Sequence, residues 1–152
     1  MSIHNYFITL ILFGVLAGCD KKPAGVSVVF PQSESPIQIT KDGKQHLFAN
    51  YYGINSWSND QRYVTVLQTE VKYRLPDEND PAILGLVDMK TYEFIPLAQT
   101  RAWNFQQGCM AHWLGTSPDS LIIFNDMREN RFVSVIMNVH TRKEIKTIPY
   151  PV

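Results

Sequence analysis

Few of the 152 residues have side chains and neighbours suited to chemistry. His46, His112 and His140 are scattered, without the close pairings a zinc site needs. The run Asp77-Glu78-Asn79-Asp80 supplies oxygen ligands but lacks the glycine and distant glutamate of a calcium loop, so it reads as a solvated loop. Ser134 has no nucleophile-elbow glycines around it, and no glycine-rich loop is built to cradle phosphate. Cys109 is either a reactive thiol or, as is commoner, a small buried hydrophobe. What remains is a set suited to gripping a polar ligand: Arg101, Trp103, Asn104, Gln107, His112, Asn125, Asp126 and Arg128. An aromatic ring stacks on a sugar while guanidinium, amide and carboxylate groups fix its orientation. The competing reading packs Trp103, Phe105 and Trp113 in a core and uses the polar groups to close turns. No catalytic residue, metal ligand or cofactor site follows from the sequence.

The elements that must hold these residues are strands. Ile37-Gln38-Ile39-Thr40 alternates, Lys41-Asp42-Gly43-Lys44 offers an Asp-Gly turn, and Gln45 to Tyr52 resumes as strand. Ser58-Asn59-Asp60-Gln61 is a second turn before a strand from Arg62 to Leu67. A longer loop, Val71 to Pro81, carries Pro76 and the acidic run. Ile83 to Met89 and Glu93 to Leu97 flank a turn at Lys90-Thr91-Tyr92. No segment sustains ten residues of helical periodicity, so the expected class is all-β. Apolar residues at 45% and aromatics at 12% fit a packed domain. Zero net charge with 18% charged residues leaves no basic stripe, which argues against a nucleic-acid partner.

The N-terminus has a different character. Tyr6 to Ala17 is uncharged and rich in Phe, Ile and Leu. A dozen residues reach about 18 Å as a helix, well short of the ~30 Å hydrocarbon core, so the run reads as the apolar part of an export signal. Leu16-Ala17-Gly18-Cys19 directly after it resembles the bacterial lipoprotein lipobox. The resemblance implies that the Cys19 thiol takes a diacylglyceryl group, that residues 1–18 are removed, and that acyl chains hold the protein to a membrane outside the cytoplasm. Asp20 resembles the signal for inner-membrane retention. Met1 to Asn5 departs from the usual pattern in lacking Lys and Arg. With Cys19 acylated, Cys109 has no cysteine left in the chain to pair with. Residues 19–36 read as a tether, with Val26 to Phe30 as one short apolar piece.

The second half of the chain echoes the first. Trp57-Ser58-Asn59-Asp60 answers Trp113 to Asp119, and Val87-Asp88-Met89-Lys90-Thr91 answers Met137-Asn138-Val139-His140-Thr141. A period near fifty residues with four short strands per unit suggests propeller blades. These units resemble the TolB-like propeller repeat, with Gln61, Tyr92, Ser120 and Arg142 where its turns usually carry glycine. The stretch from Arg101 to Gly108, followed by His112-Trp113-Leu114 and Asn125-Asp126, is similar to larger bacterial propeller proteins, including some resembling oligogalacturonate lyases. The resemblance implies antiparallel four-stranded blades at about 45–100 and 101–152, forming an incomplete β-propeller over residues 37–152; a β-sandwich is the alternative. Rings close with about four to eight blades. The expectations are therefore truncation from a longer protein, assembly of copies, or two sheets packed as a sandwich.

Alternate connections of an antiparallel unit emerge on one side. That puts Tyr73, Arg74 and Asp77 to Asp80 beside Arg101, Trp103 and Asn104, and beside Asn125, Asp126 and Arg128, with Gln107 and His112 on the innermost strand. Two functions fit. One is a non-catalytic, lipid-anchored module that binds an oligosaccharide or a protein. The other is the N-terminal part of a carbohydrate-active propeller enzyme.

Overall fold

Tyr63-Val-Thr-Val-Leu-Gln-Thr69 is buried at every position from Val64 onward. A strand that dry needs cover on both faces, and the computed structural model, which describes residues 35–152, supplies it. The strands are β1 (Gln45–Phe48), β2 (Tyr63–Thr69), β3 (Ala82–Asp88), β4 (Phe94–Thr100), β5 (His112–Trp113), β6 (Leu121–Arg128), β7 (Arg131–Asn138) and β8 (Lys143–Ile148). They form two four-stranded antiparallel sheets, each in sequence order, β1-β2-β3-β4 and β5-β6-β7-β8. The fold is all-β, and among the described residues the sheets do not close into a ring.

Period-two alternation sorts the side chains. In the first sheet Thr65 pairs with Leu86 and Leu67 with Leu84. In the second, Ile122 pairs with Met137 and Phe124 with Val135. The apolar members of these pairs meet in one core that also takes in Cys109, Ala111, Trp103 and Trp113. The sheets therefore pack face to face in the manner of a sandwich.

The opposite face of the first sheet carries Val64, Val66 and Val87, which the segment before β1 covers through Ile39. Lys41 Nζ lies 4.0 Å from the Tyr92 ring centroid and helps hold that segment down. Gly85 is required on this face, because a Cβ there would come within 2.4 Å of the Phe94 ring.

Each sheet turns its corners with the same chemistry. Asp88 Oδ1 accepts the Lys90 N–H at 2.9 Å. Fifty residues on, Asn138 Oδ1 accepts the N–H groups of His140 and Thr141 at 3.0 and 2.9 Å. The two Ser-x-Asp corners touch, with the Asp60 N–H donating to Asp119 Oδ1 at 2.8 Å.

The structure differs from expectation at three places. Ile37 to Thr40 forms no strand, since it lies across a sheet face instead of joining an edge. The strand expected from Gln45 to Tyr52 stops at Phe48. There the Ala49 carbonyl turns to the other sheet and accepts the N–H groups of Cys109 and Ala111 at 3.1 and 2.9 Å. The innermost strand expected to carry both Gln107 and His112 shortens to β5, because Asn104 Oδ1 accepts the N–H groups of Gln106 and Gln107 at 2.9 and 2.7 Å and folds residues 104–108 into a tight hairpin. The expectations for the export-type segment, Cys19, Asp20 and Val26 to Phe30 lie outside the described residues.

Candidate functional site

The link from β4 to β5 begins with Thr100, whose hydroxyl accepts the Ala102 N–H at 3.0 Å and donates to the Asn125 carbonyl at 2.9 Å. The link is thereby pinned to the second sheet as it leaves the first. Trp103 follows, 8% exposed, its indole N–H donating to the Asp80 carbonyl at 2.7 Å. That carbonyl is held in place by its own residue's side chain, which grips Arg74 through two hydrogen bonds of 2.5 and 2.7 Å. The Arg74 guanidinium keeps the Asp80 carboxyl down at about 2. The loop from Arg74 to Asp80 thus buttresses the Trp103 indole, as the topological argument expects.

Beyond Trp103 the 104–108 hairpin folds back over the joint between the sheets. Gly108 sits at φ 56° with its Cα against the backbone, where a Cβ would fall 2.3 Å from the Ala49 carbonyl carbon. Beside it lies a cleft of about 390 Å³ whose walls include Arg101, Trp103, Asn104, Gln107 and Asn125. Five of the eight expected ligand-binding residues therefore meet. Several are already engaged: Trp103 is packed into the core with Phe105 edge-on at 5.4 Å, and Asn104 closes its own turn. Arg101 is exposed and has no ion pair among the described residues.

The other three lie elsewhere. His112 is half-buried, its Nδ1 2.9 Å from the Met110 carbonyl. Asp126 is opposite Val133 on the core face and is buried. It accepts from Arg128 at 2.5 Å, and Arg128 also donates to Glu144 at 2.6 Å. These two carboxylates, Glu144 first, hold the guanidinium proton more tightly than usual. Alternation along β6 separates Asn125 from Asp126, which put them on opposite faces.

Cys109 is fully buried, and burial pushes its thiol up to about 12, so it is no nucleophile. Among the described residues no three His, Cys, Asp or Glu side chains gather as a metal site.

The sequence reading missed a second concavity. Residues 49–56 loop out between β1 and β2, and Phe48, Tyr51, Tyr52, Phe105 and Gln106 help line an open groove of about 630 Å³ beside them. Phe48 and Tyr52 are 76% and 81% exposed. The available signal was the Tyr51-Tyr52-Gly53 run, too aromatic for an ordinary turn and interrupted by a glycine at φ 79°. No family model, curated protein or solved structure matches the chain.

Proposed function

We propose that this chain is a lipid-anchored binding module, held outside the cytoplasm by acyl chains on Cys19 and built from two propeller-type blades. The observation that carries the blade reading is the repeated corner: two sequential meanders, each closed by an acidic or amide side chain fifty residues apart, with Asp60 and Asp119 joining their Ser-x-Asp turns. Face-to-face packing of such meanders is how neighbouring blades bury their apolar surfaces. The cleft beside Arg101, Gln107 and Asn125 supplies a polar binding surface at the joint. Anchoring is tested in a bacterial host: globomycin leads to accumulation of a larger precursor, and Cys19→Ser abolishes lipid labelling. Unchanged processing in both experiments contradicts the anchor.

A second reading, the N-terminal part of a carbohydrate-active enzyme similar to oligogalacturonate lyases, is favoured by the exposed aromatic faces of Phe48 and Tyr52 next to Gln106. Sugar rings stack on such faces. Under this reading oligogalacturonide quenches tyrosine fluorescence saturably, and Tyr52→Ala removes the effect; a longer relative with further blades releases unsaturated uronates. Absence of quenching and of product contradicts it.

A further inference from the structure

We propose that the β1 edge of the first sheet is a membrane-facing surface, which rests on a bilayer carrying anionic headgroups. The proposal builds on the lipid-anchor reading and adds which side of the domain meets the bilayer. Four exposed aromatic side chains mark this edge. Phe48 ends β1 and Tyr52 follows in the 49–56 loop, 76% and 81% exposed. Tyr73, in the link from β2 to β3, is fully exposed, and Phe105 of the 104–108 hairpin is 39% exposed. Phe105 joins the others into one surface. It borders both the groove beside Phe48 and Tyr52 and a second hollow of about 480 Å³ beside Tyr73.

Contiguous exposed apolar surface marks a place of contact, and Tyr73 is held out by a braced frame. Its backbone stands at φ 59°, in the left-handed region that disfavours a residue with a Cβ. The loop that keeps it there is fixed by Arg74 gripping Asp80 and by Trp103 donating to the Asp80 carbonyl. The phenol is therefore presented to its surroundings and not folded back onto the sheet.

Charge selects the occupant. Lys44 and Lys72 border the hollow beside Tyr73, are exposed, and have no ion pair among the described residues. No Asp or Glu borders either concavity. Two carboxylates of the Tyr73 loop, Asp77 and Asp80, lie against Arg74 at 3.9 and 2.5 Å. Aromatic rings beside lysines suit the bilayer interface, where rings sit at headgroup level and ammonium groups meet anionic phosphates. Ile39, Thr40 and Gly43 line the same two concavities. They belong to the segment that follows residues 19–36 in the chain, so an anchor at Cys19 is joined to the body at this edge.

The test uses the full chain carrying Cys19→Ser, so that acylation plays no part. The environment-sensitive dye NBD is attached at Gln106→Cys, on this surface, or at Lys146→Cys, on the far edge strand β8. Cys109 is fully buried and takes no label. With vesicles of phosphatidylcholine and phosphatidylglycerol, the dye at 106 shifts to the blue and is quenched by lipids brominated in their acyl chains. The dye at 146 does neither. Lys44→Gln with Lys72→Gln raises the lipid needed for the half-maximal shift about twenty-fold, near five-fold per lysine, with no change on phosphatidylcholine alone. Tyr73→Ser with Phe48→Ser raises it on both vesicles. Equal responses at 106 and 146, or none at either, overturn the proposal. So does a shift at 106 that needs only higher protein concentration, which assigns the edge to a second copy. Because Cys19 is absent throughout, failure here leaves the acylation experiment to stand or fall by itself.

Discussion

Gln61, Tyr92 and Arg142 stand at φ 57°, 60° and 56°, each in a turn between strands. The left-handed region disfavours a residue with a Cβ by about 1–2 kcal/mol, offset in part by the entropy glycine loses on folding. Arg142 is exposed, and among the described residues its side chain makes no hydrogen bond or ion pair that glycine would forfeit. Arg142→Gly should therefore raise stability by about 0.5–1 kcal/mol in urea denaturation, while Arg142→Val should lower it. Tyr92→Gly should gain less, because the ring also faces Lys41. Asp80 makes a second prediction at this scale. Its carboxyl, held by Arg74 at about 2, lies below the unfolded range near 4, so its contribution is complete above that range and is lost as pH falls toward 2. Arg74→Ala should move the Asp80 titration up, followed by NMR, and should loosen the Trp103 indole resting on the Asp80 carbonyl. Cys109 should resist Ellman's reagent in the native protein and react on denaturation.

At the scale of elements, the joint between the sheets depends on residues 49–56. Asn50 is buried and donates to the Ala111 carbonyl at 3.1 Å and to Ser56 Oγ at 3.0 Å. Ser56's own carbonyl accepts the Trp113 indole N–H at 3.0 Å. Asn50→Ala strands the Ala111 carbonyl and should destabilise the fold by about 1–3 kcal/mol. Gly108→Ala should cost about as much or more, since its Cβ has no room beside Ala49 and its φ is left-handed. The strands of the first sheet were legible because Val64 to Leu67 and Ile83 to Val87 carry β-branched and aliphatic residues in short runs between turn residues. Ala49 to Tyr52 was not, because its apolar character matches a strand while its hydrogen bonds are fixed by residues some sixty positions away. The ligand-binding set was legible in part for the same reason. The link from Arg101 to Gln107 is local and came out together, whereas the outward or inward sense of Asn125, Asp126 and Arg128 depends on register, which a one-residue slip reverses.

For the whole molecule, the two sheets share one core, and each outer face is crossed by chain: the segment before β1 over Val64 and Val66, and Pro149–Val152 over Ser134. Such cover protects faces that would otherwise be free to associate. In the proposed setting, acyl chains on Cys19 hold this body at a membrane, and two or three chains make that attachment effectively permanent where one would be marginal. The most direct measurement is the intact mass and N-terminal peptide of the full-length chain expressed in a bacterium. The account predicts a polypeptide that starts at Cys19 and carries diacylglyceryl on its sulfur. A chain that retains residues 1–18 with Cys19 unmodified would contradict it.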